Sequence, residues 1–297
     1  MNNQVFAELR KKLATGPVLI QFIVVNAVVF FTLKLVRLVY FLMNMGDDAF
    51  RTMINFLAVP ADVLTLLITP WTLLTYMFLH LSFMHILFNM LTLYFAGRIF
   101  TEYLGDRKFI STYIVGGVSG AILYIIAFNA FPVFESVVPD AIALGASASV
   151  LAILVAAATY VPNYTVHLIL IGAVRLKYIA IFLVLLDIIN IESDNPGGHI
   201  AHLGGAIYGY IFVSSLKKGN NIARWFDKII NFFANLFQPS SKLKVAYKKR
   251  TSDEEYNEMK IKKQQKMDDI LDKISRSGYE SLTREEKEFL FKISKNL

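Results

Sequence analysis

Long apolar runs fill most of residues 17–216, and most of the charge lies after Lys217. A hydrocarbon core demands about 20 apolar residues for each helical crossing. Inside it every backbone N–H and C=O must find a partner within the chain, so runs of this length fold as helices. Candidate crossings fall at about 17–36, 83–103, 109–131, 145–161, 178–191 and 199–216. The expected fold is therefore all-α: a polytopic membrane protein, a bundle of six transmembrane helices with a soluble helical tail. Composition agrees, with 55% hydrophobic residues against roughly 45–50% in soluble domains even when glycine is counted.

Residues 1–16 are mixed, with Arg10-Lys11-Lys12 ahead of the first run. That run is too long for a cleavable signal, so 1–16 is expected to be a cytoplasmic N-terminus and 17–216 the membrane domain. Residues 38–82 contain Asp47, Asp48, Arg51, Pro60, Asp62 and Pro70. The stretch 63–79 is apolar enough to cross. Pro70 interrupts it, however, and an extra crossing would invert everything downstream, so it reads as a membrane-dipping loop. Charge sets the orientation. Arg107, Lys108, Arg175, Lys177, Lys217 and Lys218 fall in the loops on one side, while 132–144 and 192–198 carry Glu135, Asp140, Glu192 and Asp194 but no Lys or Arg. Both termini are placed in the cytoplasm. Lys34 and Arg37 run against this pattern and are assigned to snorkelling.

Residues 217–238 place Trp225, Phe226, Ile229, Ile230 and Phe233 at helical spacing, which reads as an amphipathic helix on the inner membrane surface. Packing against the tail is the alternative. The tail, 239–297, is soluble and is expected to form two short helices. Gly278 reads as the stop of the first, and Thr283-Arg284-Glu285-Glu286 as a capping box opening the second. The net charge of +7 suits anionic lipid headgroups in this setting, and no nucleic-acid partner is expected. The chain has no cysteine, which excludes disulfides, thiolate metal sites and cysteine nucleophiles.

Polar residues within apolar runs are costly and each needs a reason. His85 and Asn89, four apart, share one helix face; bonding to one another or to backbone would also account for them. Gly145-Ala146-Ser147-Ala148-Ser149 opens the fourth run. Ser147 alone reads as a packing serine, but Gly145 two residues earlier allows close approach and leaves backbone N–H groups free to meet an oxyanion. The sixth run opens with Gly198-His199-Ile200-Ala201-His202-Leu203-Gly204-Gly205. Gly205 and Gly209 form a small face that suits Ala148, Ala152 and Ala156, and such packing would bring Ser147 toward a histidine.

The second, fourth and sixth runs all begin at the outer face, so His85, Ser147 and His202 share a depth. Four of the five histidines belong to this layer. Acyl transfer is the chemistry such a layer can do. An imidazole activates the serine and returns its proton to the leaving amine, and fixed donors stabilise the tetrahedral oxyanion. Asp187 and Asp194 lie near the outer end, but neither looks well placed to orient the histidine, so a Ser–His dyad is the simpler expectation.

His85-x-x-x-Asn89, Gly145-x-Ser147 and Ala201-His202-x-x-Gly205-x-x-x-Gly209, in that order on alternate runs, resemble the rhomboid intramembrane serine proteases. The resemblance covers roughly residues 65–215. It implies Ser147 as nucleophile, His202 as general base, and His85, Asn89 and the Ser147 backbone as oxyanion hole. His80 matches a family histidine near the site. Gly145, Gly205 and Gly209 support the packing, and no metal or other cofactor is implied. Two departures are Ala148 in place of the common glycine, and Leu151 where many members carry an aromatic against the catalytic histidine. Ser149 and His199 are the alternative nucleophile and base.

The expected function is thus an intramembrane serine endopeptidase that cuts transmembrane segments of membrane-protein substrates near the outer face. A catalytically inactive, client-binding relative is the first alternative. A histidine-relay transporter is the second, disfavoured because the runs hold few carboxylates and show no clear repeat. A bacterial inner membrane is the expected location.

Overall fold

The computed structural model describes residues 16–168, 172–193, 195–226, 228–229, 232 and 253–294. Two compact units divide at residues 238 and 239. In the first, α1 spans Val18–Leu42. The expected connector therefore starts later than residue 38: nothing in Leu38–Leu42 breaks the helix, and the turn comes at Asn44 and Gly46, both at positive φ. The α1 residues Val25, Val28, Phe31 and Leu35 are exposed, as a lipid-facing surface would be.

The connector is ordered. Helix α2 (Gly46–Leu57) turns Phe50 and Ile54 inward, where they pack with Leu33, Ala58 and Leu79. Strand β1 (Val59–Pro60) follows, then α3 (Val63–Ile68), capped by Asp62, whose Oδ2 accepts from the Thr65 N–H at 2.7 Å. Leu64, Leu67 and Ile68 of α3 are exposed, an apolar surface suited to dipping into a bilayer. Helix α4 (Thr72–Thr75) and a 3₁₀ turn over Tyr76–Phe78 return the chain to the core. There the Tyr76 hydroxyl donates to the Gly117 carbonyl at 2.5 Å and the Tyr113 hydroxyl to that of Met77 at 3.1 Å. Lys34 donates to the Leu81 carbonyl at 2.7 Å, which gives this cation a partner on the side where charge patterning did not expect it.

Helix α5 covers Phe83–Leu104 and α6 Asp106–Ala130. Strand β2 (Ile142–Ala143) pairs antiparallel with β1 and delivers the chain to α7, Ser147–Tyr160. A hairpin of β3 (Thr165–Leu168) and β4 (Gly172–Arg175) leads to α8, Leu176–Ile189, and then α9, Pro196–Lys217.

Among the described residues, α1, α5 and α6 are the helices long and apolar enough to cross a membrane, and α7 is a shorter apolar helix. At 14 residues each, α7 and α8 reach about 21 Å, short of the roughly 30 Å hydrocarbon core. Helix α9 has 22 residues but is diluted by glycine and histidine.

Small residues set the packing around α7. A Cβ on Gly205 would overlap the Ala148 carbonyl, and one on Gly209 the Ala152 carbonyl. Both partners advance by four residues, so α9 and α7 run parallel at one-turn register. On the other side, Gly120 and Gly116 of α6 meet the methyl groups of Ala148 and Ala152, the descending order of an antiparallel neighbour.

Of segment 217–238, Arg224–Phe226, Lys228, Ile229 and Phe232 are helical, with Trp225 and Phe232 exposed; Ile230 and Phe233 lie outside the described residues. The second unit contains α10 (Asp253–Ser277) and α11 (Arg284–Ser294). Gly278 ends α10 at φ +74°, a conformation glycine adopts without strain. Ile270 and Leu282 form its buried centre, and Lys273 pairs with Glu286 at 2.9 Å.

Candidate active site

Helix α7 begins at Ser147 itself, which is half-buried. The turn before it is shaped by Gly145, at φ +130°. Its N–H donates to the Tyr76 carbonyl at 2.9 Å. Ala146 is held as well: its N–H donates to His80 Nε2 at 3.4 Å, and His80 is fully buried. The corner thus rests on the connector from two sides. The first N–H groups of a helix have no intrahelical partner and carry its positive dipole end, so the Ser147 amide is a ready donor for negative charge.

His85, in the first turn of α5, packs beside this corner. A Cβ on Gly145 would lie 2.7 Å from His85 Cε1, 3.0 Å from its Nε2 and 3.6 Å from Ser147 Oγ. The ring faces His80 edge-on, with centroids 5.0 Å apart. Asn89, one turn deeper and buried, donates to the His85 carbonyl at 2.9 Å. Its amide has a second N–H available to a reacting oxygen.

His202 comes from α9. The Gly205–Ala148 contact fixes its level, since His202 lies one turn nearer the helix start, as Gly145 does relative to Ala148. His202 is close enough to His85 to interact with it electrostatically. Ser147, His85 and His202 therefore converge at one end of the bundle, together with Gly145, Asn89 and His80. Among the described residues no hydrogen bond joins the Ser147 hydroxyl to an imidazole. Ser149, in contrast, is fully buried against Met77 and Gly117, with its Oγ 3.9 Å from Met77 Sδ. Leu151 is buried one turn below Ser147.

One residue departs from the sequence expectation. Asp187, which did not look well placed to orient the histidine, has its Oδ1 2.7 Å from His202 Nδ1 and 2.8 Å from His199 Nδ1. Asp194 lies outside the described residues. A signal for Asp187 was present: it is the sole charged residue in 178–191, and a charge inside such a run calls for a partner. It also lies as near the end of its run as His199 and His202 lie to the start of theirs. The ligand-type atoms of Asp187, His199 and His202 fall within 4.8 Å of one another, the spacing of a possible metal cluster. Both Nδ1 atoms are already bonded to the carboxylate, so a hydrogen-bonded cluster describes them.

Sequence comparison adds an independent finding. A model of the Rhomboid domain matches residues 69–218, just over half of the 297 residues. Residues 250–296 match DUF6576, a family of unknown function. The chain is similar to RHOMBOID-like protein 12, mitochondrial, of Arabidopsis thaliana, with 31% identity over 160 residues, covering 50% of this chain and 47% of that protein. The match thus spans about half the length of this relative. Its mitochondrial designation lends no support to a bacterial inner membrane; the Rhomboid domain match and the apolar helices support a multi-pass membrane protein.

Proposed function

The chain belongs to the rhomboid family, and from that premise we propose that it is an active intramembrane serine endopeptidase, crossing the membrane six times with both ends on one side. Its substrates are the transmembrane segments of other membrane proteins, met within the lipid bilayer that surrounds it. The observation that carries the reading is the parallel docking of α9 on α7 through Gly205–Ala148 and Gly209–Ala152, which sets His202 level with the Ser147 corner.

In the proposed reaction His202 Nε2 takes the Ser147 hydroxyl proton while Oγ attacks the scissile carbonyl carbon. The carbonyl π electrons move to oxygen, and the resulting oxyanion accepts from the Ser147 N–H, the free Asn89 N–H and a His85 ring N–H. On collapse the C–N bond breaks and the proton on Nε2 passes to the leaving amine. Water, activated by the same imidazole, then releases the acyl group from Ser147.

The test is cleavage of a generic single-span substrate in reconstituted vesicles, wild type against Ser147→Ala. Cleavage by wild type alone supports the proposal. Equal cleavage by both shows that Ser147 is not the nucleophile. If the wild type neither cleaves nor reacts with a serine-directed fluorophosphonate, the client-binding alternative takes its place.

A further inference from the structure

We propose that Asp187 is the positioning carboxylate of this site, completing a Ser147–His202–Asp187 relay in which His199 holds the carboxylate from its second side. The inference rests on the protease reading above and deepens it.

Hydrogen-bond valence selects the tautomer. A carboxylate only accepts. The ring nitrogen facing it must therefore carry the proton, which makes Nδ1 of His202 the N–H and leaves the lone pair on Nε2. A general base needs that tautomer, and without a fixed acceptor the two tautomers compete. The bond also sets ring orientation. Helix α8 contributes the acceptor from its last turn and α9 the donor from its first half, so a 2.7 Å bond between them ties the imidazole to the backbone of a second helix. Finally, when His202 takes the serine proton it becomes an imidazolium, and a neighbouring anion stabilises that charge in a site that is largely shielded from water.

His199 gives this arrangement its particular form. Its Nδ1 bonds the same Oδ1 at 2.8 Å, and the two rings stand nearly perpendicular, with centroids 5.8 Å apart. One oxygen accepting two N–H groups cannot rotate away from either. Asp187 has side-chain exposure of 11%, and the two histidines 22% each, so water competes weakly for these bonds. Among the described residues, the titratable groups placed around His202 are His85 from α5, His199 from α9 and Asp187 from α8.

A purely structural role, with Asp187 merely fastening α8 to α9, makes a different prediction. The experiment compares wild type, Asp187→Asn, Asp187→Glu and Ser147→Ala, full length and in vesicles, on one single-span substrate. For Asp187→Asn the expected result is a fall in kcat of roughly 10²- to 10⁴-fold, with KM and the thermal midpoint near those of wild type. Asp187→Glu should recover part of the lost rate. Fluorophosphonate labelling of Ser147 should slow in parallel. Asp187→Asn within a few-fold of wild type overturns the proposal. So does a loss of rate that only follows loss of folded protein, with no recovery in Asp187→Glu. A wild type no more active than Ser147→Ala removes the protease reading itself, and the relay falls with it. With an active wild type, the result for Asp187→Asn bears on the relay alone.

Discussion

Gly205 of α9 and Ala148 of α7 meet backbone to backbone, with no room for a Cβ between them. The contact joins fold to site because each partner is one short step from a proposed reacting group: Ala148 follows Ser147, and Gly205 lies one turn below His202. Gly120 of α6 closes on the same point from the other side, against the Ala148 methyl and the Ala201 carbonyl. Three helices thus share a seam where any added atom must displace a backbone.

Gly205→Ala should therefore destabilise the membrane domain by about 1–3 kcal/mol, the usual cost of overpacking a close-packed core. Gly209→Ala should behave alike, since it meets the Ala152 carbonyl. Unfolding in a mixed detergent series measures both. A neutral Gly205→Ala would mean that α7 and α9 do not approach this closely.

Asn89 and His202 should separate cleanly in activity. On the proposed mechanism Asn89→Ala removes one of several oxyanion donors and should slow cleavage by about 10²–10³-fold. His202→Ala removes the proposed base and should leave cleavage close to background. The initial rate on a single-span substrate decides, and full activity in both variants would overturn the assignment. Ser149, packed on Met77, should tolerate alanine with little loss of rate.

Gly145→Ala tests the corner. Its φ of +130° is one that side chains rarely adopt, and its Cβ would lie 2.7 Å from the His85 ring. Because the corner also receives the Tyr76 and His80 contacts, the loop should shift locally while the helices hold. The expected outcome is a large fall in cleavage with a small change in melting temperature, read on the same protein sample.

The long apolar helices α1, α5 and α6 were legible because the length of an apolar run reports such helices almost directly. The α7–α9 seam was legible from the spacing of Gly205 and Gly209 against Ala148 and Ala152. Those four residues have little role but to let backbones meet, so their period is not obscured by other demands. The connector was harder to read. Its short helices α2–α4 are held by tertiary bonds, such as that from Trp71 Nε1 to the Phe56 carbonyl at 2.8 Å and that from Asn129 to the Ala61 carbonyl at 2.8 Å, and no local period announces these. The partner of Asp187 was hidden for a related reason. Its bond to His202 depends on how two helices rotate about their axes, and depth alone, which the sequence does provide, leaves that rotation open.

The second unit offers a prediction of another kind. Thr283 and Glu286 bond reciprocally: the Glu286 N–H donates to Thr283 Oγ1 at 3.3 Å, and the Thr283 N–H donates to Glu286 Oε2 at 2.7 Å. The same carboxylate receives Lys273. The Lys273 ammonium and the Thr283 amide hold the Glu286 carboxyl below its ordinary range. A depressed pKa in the folded state means that the group stabilises the fold above its unfolded pKa, and that this contribution fades as pH falls through the folded value. The start of α11 should accordingly loosen on acidification below the ordinary glutamate range near pH 4, and be insensitive to pH between about 6 and 8. Thr283→Ala should cost about 0.5–2 kcal/mol of local stability. Glu286→Gln should keep part of the cap but lose the pH dependence. Hydrogen exchange of amides 284–287 in the full-length protein measures all three, and protection in Glu286→Gln that still falls with acid would show that a different carboxylate governs this helix.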